Sequence, residues 1–328
     1  MDFLPALPSF PFPFSRLPQH RDKGHHPQLS SLSSTPPHPE HTSPPELAIA
    51  TFLSGQSSDD DDRYFNLTRL LTYQFVHAPA TRIKNPNITF AVLCGKKLSE
   101  EKKNHLRRVG AKVITLEDVK LPDWYHIDEA RYSEVFSKLR VFEMTQFKRI
   151  LFVDADILIM KPMDEIFEDP TITSLTPTLF QRSDEIHEDE GTLPKEWLFA
   201  ARPENGWLGG FEHSVPPLPA NYLNTGFFLI APDKNMYDHL MNVIQFEGRF
   251  GTQFPEQDML NYVFKREGPM PWRELDWRWC ANFVNEKDYQ FGIHSLHGKF
   301  WNEGPQEVRD HFQSEMEDMF DYEESLSL

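Results

Sequence analysis

Arg149-Ile-Leu-Phe-Val-Asp154-Ala-Asp156 is an apolar strand that runs straight into two carboxylates. Charges at the end of a buried strand are costly unless something positive meets them. Across an extended Asp-Ala-Asp both side chains face one side, because residues i and i+2 share a face, so both reach one hard cation. A metal held by few protein groups keeps positions open for the oxygens of a diphosphate. The plain alternative is that Asp154 and Asp156 cap a turn, a common role for Asp.

Upstream, Leu47-Ala-Ile-Ala-Thr51-Phe-Leu53-Ser54 reads as a buried strand. From Tyr64 the residues Leu67, Leu70, Leu71 and Phe75 recur at helical spacing, and Thr89 to Cys94 is an apolar run of strand length. A charged helix over Glu100 to Val109, a turn at Gly110 and a short strand Lys112 to Thr115 follow. This alternation predicts an α/β fold with a mixed, mostly parallel sheet flanked by helices and a ligand beyond the carboxyl ends of the strands. A further helix near Tyr132 to Thr145 leads into the Asp154 strand.

Downstream, Asp184 to Pro219 is acidic and rich in Gly and Pro, too long for an ordinary connection, and reads as a lid or inserted loop. Asn224 to Ala231 is a strand, helices are expected near Lys234 to Gln245 and Gln257 to Lys265, and a strand near Tyr289 to His294. Gly292-Ile-His294-Ser-Leu-His297-Gly298-Lys299-Phe-Trp301 then sets two imidazoles and an ammonium after a strand end, a third metal ligand beside a phosphate cation. Gln306 to Tyr322 reads as an acidic amphipathic helix.

Among the 328 residues, 33 Lys and Arg against 50 Asp and Glu give a net charge of −17, which argues against nucleic acid as a partner. The 39% hydrophobic content suffices for the core of one domain of about 250 to 280 residues. Cys94 and Cys280 have no metal-ligand spacing and read as buried free thiols. Residues 1–45 carry eleven of the 27 prolines and are expected to be disordered, and the prolines within Met1 to Phe14 argue against a targeting helix. No apolar run approaches the ~18 residues of a membrane span. The four aspartates Asp59 to Asp62 read as a solvated loop.

Taken together, these segments resemble the nucleotide-sugar glycosyltransferases of family 8, the group of glycogenin and galactinol synthase. Ser137-Lys138-Leu139 to Asp154-Ala-Asp156 is similar to that family's lysine-bearing helix and Asp-x-Asp strand, and Asn224-Thr-Gly-Phe to its Asn-[Ser/Thr]-Gly strand. Glu256-Gln257-Asp-Met-Leu-Asn261 resembles its Asp-Gln-x-x-Leu-Asn helix start, and His294 to Trp301 its His-x(5–6)-Lys-Pro-Trp segment, with Phe300 in place of the proline. His77-Ala-Pro-Ala-Thr81-Arg82 looks like a fungal branch of the group.

The resemblance implies a single GT-A-type domain over 46–302, after the tail 1–45 and before an acidic C-terminal helix, 303–328. It implies a Mn2+-dependent retaining transfer of a hexose or N-acetylhexosamine from a UDP-sugar to a glycan or protein acceptor. Asp154, Asp156 and His294 would hold manganese, with His297 as the alternative to His294. Lys299 would pair with the diphosphate, Lys138 would lie against the donor's phosphate or sugar, and Asn224 and Gln257 would face the sugar. Glu256 reaches one methylene farther than the family's Asp and would assist catalysis with Gln257 and Lys299. Thr51, Leu53 and Tyr64 would hold the nucleotide, and Gly298 would line the substrate turn. Trp197 and Trp207 are candidates to stack on a sugar, with core packing as the commoner use. A silent sugar-nucleotide scaffold and a self-glucosylating primer are the competing readings, and a homodimer stays open. Cytoplasm is the default compartment; a Golgi lumen fits if an anchor precedes the chain, and the sequons at Asn66 and Asn87 permit it.

Overall fold

β1 (Leu47–Leu53) and β2 (Ile88–Cys94) are almost wholly buried, as strands covered by helices on both faces must be. They pair in parallel from Leu47 opposite Ile88 to Leu53 opposite Cys94, with α1 (Arg63–Val76) as the crossover. α2 (Glu100–Arg108) starts at Ser99, whose hydroxyl accepts the Lys102 N–H, and leads to β3 (Lys112–Thr115) beside β2. β4 (Arg149–Val153) lies parallel to β1 on its other side. The structure, a computed structural model, describes residues 46–55, 62–125 and 135–326, all within one compact unit, Ser43–Leu328. The proline-rich tail and Asp59 to Asp61 lie outside the described residues.

After β5 (Ile157–Ile159), α3 (Pro170–Thr173), β6 (Thr176–Pro177) and β7 (Glu196–Trp197), the main sheet resumes with β8 (Phe199–Pro203) and β9 (Leu223–Ile230). α4 (Lys234–Val243), α5 (Pro255–Val263) and β10 (Arg273–Glu274) follow, giving seven strands in the order β10-β8-β9-β4-β1-β2-β3. Only β9 runs against its neighbours, antiparallel to both β4 and β8. That reversal brings the start of β9, Asn224-Thr225-Gly226, to the carboxyl end of β4, where Asp154 stands. β11 (Ala281–Asn282), α6 (Glu286–Phe291) and β12 (Ser295–His297) come next, and β12 pairs with β5 in a second sheet of order β11-β12-β5.

A layer of stacked rings fixes the helical side of the site. Phe199 and Phe264 stack with centroids 4.3 Å apart, and Phe142 and Phe228 join them. This seats α5 and the segment Val135–Glu143 on the sheet, and with them Glu256, Gln257 and Lys138. α7 (Gln306–Leu326) packs along α1: Gln74 donates to Glu315 at 2.8 Å, and the Arg69 Nε donates to Glu323 at 3.1 Å. No described helix is long and apolar enough to cross a membrane. Cys94 and Cys280 are buried and unbridged.

Three local expectations are corrected. The helix near Tyr132 to Thr145 is a 3-10 segment over Val135–Glu143, with 126–134 outside the described residues. The stretch Tyr289 to His294 opens as helix rather than strand, because Asn285 and Asp288 form a capping box that nucleates α6. Asp184 to Pro219 is no simple lid, since β8 within it is a buried strand of the main sheet.

Candidate functional site

Asp154 directly follows β4, and its N–H donates to Gly226 O of β9 at 2.8 Å. The chain then turns, Ile157 N–H to Asp154 O at 3.2 Å, so the Asp-Ala-Asp is bent rather than extended. β12 nevertheless closes the cluster, for His297 pairs with Ile157 of β5 and its Nε2 lies 3.2 Å from the Asp156 carboxylate. One ligand atom from each of Asp154, Asp156 and His297 lies within 4.8 Å of the others.

His294, the expected ligand, is not part of this cluster. Its carbonyl accepts from Met160 at the opposite end of β5, and its Nδ1 meets Pro162 O at 3.1 Å beside the Trp279 ring. Three residues of extended chain carry the backbone about 10 Å from His294 to His297. The histidine that the structure brings to the aspartates is therefore two residues before Lys299, where five were expected.

The electrostatics bind the cluster together. Burial disfavours a charged His297, but the Asp156 charge and hydrogen bond, with Asp154 behind them, outweigh it and lift its pKa to about 9. Burial also opposes ionised Asp156, yet the same imidazolium holds its pKa below the usual carboxylate range. Asp154 is raised by burial, against the pull of Lys138. The Lys138 ammonium is buried, 2.5 Å from Glu256 and 3.6 Å from Asp154; burial lowers its pKa, but the two carboxylates prevail and raise it. It thus neutralises the carboxylate layer behind the aspartates.

Behind this layer the amides form a lattice. Thr225 N–H donates to Gln257 Oε1 at 3.0 Å, and the Thr225 hydroxyl donates to Glu256 at 3.1 Å. Asn224 Nδ2 and Gln257 Nε2 both donate to one oxygen of Glu204, at 2.9 and 3.3 Å. Glu204 is the site residue that sequence reasoning missed. Between Ala201 and Arg202 the pairing of β8 with β9 jumps from Phe228 to Asn224, an irregularity that delivers Glu204 to the amides. The signal was present: Trp197-Leu-Phe-Ala-Ala201 is an apolar strand leading toward a carboxylate, as at Asp154.

The remaining candidates spread around this centre. Lys299 is exposed, and its charge helps to hold Asp156 low. Gly298 N–H donates to Asp156 O at 3.1 Å. Thr51 and Leu53 are buried in β1; Leu53 belongs to the apolar core, whereas the Thr51 hydroxyl has no hydrogen-bond partner among the described residues. Tyr64 is edge-on to Trp301 at 6.3 Å. Trp197 packs in the core, so it is not a sugar platform, while Trp207 is 62% exposed.

Two carboxylates and an imidazole whose buried Nδ1 has no hydrogen-bond partner among the described residues form a donor set that fits a divalent cation.

The chain is 31% identical over 278 residues to the uncharacterized protein C5H10.12c of Schizosaccharomyces pombe, spanning 76% of this chain and 72% of that one. It is 28% identical over 171 residues to galactinol synthase 1 of Solanum lycopersicum, spanning 51% of this chain and 47% of that one. Among solved structures, the apo form of the bifunctional glycosyltransferase WbbM matches with a TM-score of 0.50 at 16% identity, over 81% of this chain and 48% of that one, a likeness of fold alone. No protein-family model matches the chain.

Proposed function

Given that the chain belongs to the glycosyltransferase 8-like family, with the S. pombe protein and the galactinol synthases as relatives, and has the GT-A glycosyltransferase fold, we propose that it moves a hexose or N-acetylhexosamine from a UDP-sugar to an acceptor hydroxyl, with manganese and with retention. The observation that carries this reading is the convergence of Asp154, Asp156 and His297 at the carboxyl end of β4. These three side chains would hold manganese, which when bound supplies a Lewis acid that offsets charge on the leaving diphosphate.

Lys299 pairs with the same diphosphate from the exposed turn after β12. Asn224 and Gln257, tied to Glu204 and Thr225, hold the sugar in one orientation, which removes orientational entropy from the barrier. Gln257 carries an amide and cannot act as a carboxylate nucleophile, and Glu256 is committed to Lys138. The acceptor therefore attacks from the side of the departing diphosphate, which takes up the proton.

The test is a screen of UDP-sugars with and without manganese, reading UDP release without an acceptor. At least one donor should be turned over slowly, and chelation should stop it. No release from any donor, together with no manganese-dependent UDP binding by calorimetry, would replace this reading with that of a silent scaffold.

A further inference from the structure

Beside the donor centre lies a second recess, an open cleft of about 510 Å³ whose walls include Phe211, Val284, Asn285, Glu286 and Gly304. Its size falls within the range of about 300–1,000 Å³ common to small-ligand sites. Phe211, in the cleft wall, meets Phe283 edge-to-face with centroids 5.3 Å apart, and the two rings remain 42% and 38% exposed. Phe283 has φ +52°, a left-handed conformation that a bulky side chain adopts only when its surroundings impose it.

The imposing contacts are specific. The Asn282 side chain accepts from Asn205 N–H at 2.7 Å and donates to Pro203 O at 2.9 Å, and Asn205 Nδ2 returns a bond to Asn282 O at 2.9 Å. Gly206 leaves room for the Phe283 ring, which a Cβ there would touch at 3.0 Å. Below, the buried His213 and Asp288 pair at 3.2 Å, and Asn285 donates to His213 O at 3.2 Å. The strain thus serves to keep an aromatic ring at the surface rather than to bury it.

The cleft also borders the proposed transfer centre. Gly206 N–H donates to Glu204 at 3.3 Å on one side, and on the other Glu303, part of the cleft wall, accepts the Lys299 N–H at 2.9 Å. A sugar ring offers polarised C–H bonds to the negative face of an aromatic ring, and hydroxyls to carboxylates around it. Three carboxylates here, of Glu212, Glu286 and Glu303, against the one ammonium of Lys287 disfavour an acidic or phosphorylated ligand.

We propose that this cleft binds a neutral oligosaccharide as the acceptor, stacked on Phe211 and Phe283; the word acceptor rests on the transferase reading above. The test captures the full chain on an array of neutral and acidic oligosaccharides and repeats the titration with Phe211→Ala and Glu286→Gln, the melting temperature serving as the control for folding. The expected result is capture of neutral chains, weakened about tenfold in Phe211→Ala and severalfold in Glu286→Gln. Capture of none, preference for acidic chains, or binding by both variants as tight as that of the unaltered chain would overturn the proposal. Manganese-dependent UDP binding by the unaltered chain is measured alongside; its absence with oligosaccharide capture intact would overturn the transferase reading and the acceptor role, and leave a carbohydrate-binding cleft.

Discussion

The imidazole of His297 occupies the space that a side chain at Gly226 would need: a Cβ there would meet its Nδ1 at 2.7 Å. The same glycine's carbonyl accepts the Asp154 N–H, so one residue tethers the first aspartate and admits the histidine. Gly226→Ala must push the ring away from Asp156 or shift β9. The expected result is a loss of about 10- to 100-fold in manganese affinity, the usual cost of disturbing groups that orient a metal ligand. Calorimetry of UDP and manganese checks it, and an unchanged affinity would remove His297 from the site.

Asp156→Asn keeps the shape of the side chain and removes the charge that meets both His297 and the cation. Manganese-dependent turnover of the UDP-sugar should be abolished, while the circular dichroism spectrum stays that of the unaltered chain. Full activity in this variant would contradict the metal assignment.

Lys138, itself buried, is the positive counterpart of the buried Glu256 and of the partly exposed Asp154. Lys138→Met leaves Glu256 and Asp154 without it, and breaking such a pair by removing one partner costs about 3–5 kcal/mol. Urea denaturation should show that loss, and adding Glu256→Gln should recover part of it, because the second change removes the charge left stranded. A loss in the double variant equal to the sum of the single losses would mean that the two side chains are not coupled.

The parallel core was legible because β1, β2 and β4 are buried on both faces and read as unbroken apolar runs, and Asp154 and Asp156 were legible because charge breaks such a run abruptly. His297 was harder for a physical reason. β12 has three residues, too few for any periodicity, and its register against β5 is a tertiary choice that no local pattern encodes. β8 escaped notice because its five residues include the buried Arg202 and end in Pro203; the guanidinium is satisfied by partners distant in sequence, the carbonyls of Leu275 and Cys280 at 2.6 and 3.2 Å and the Glu274 carboxylate at 3.5 Å. Missing β8 meant missing Glu204, which it carries into the site. The capping box of α6, Asn285 to Asp288, was readable and would have corrected the strand assigned over Tyr289 to His294.

Glu323 near the end of α7 is held by Arg69 of α1 and lies 3.0 Å from His105 of α2. Burial raises its pKa, but the hydrogen bonds and charges of Arg69 and His105 prevail, so the folded value lies below the ordinary one. A carboxyl depressed on folding contributes stability that is complete above its unfolded value, about 4.3, and is lost as the pH falls through the folded value. Glu323→Gln should therefore lower the melting temperature at pH 6 and cease to matter at strongly acidic pH, where the carboxyl of the unaltered chain is itself protonated. Melting curves of the two chains from pH 6 downward give the comparison. A gap between them that stays constant into strong acid would show that Glu323 contributes through packing and not through its charge.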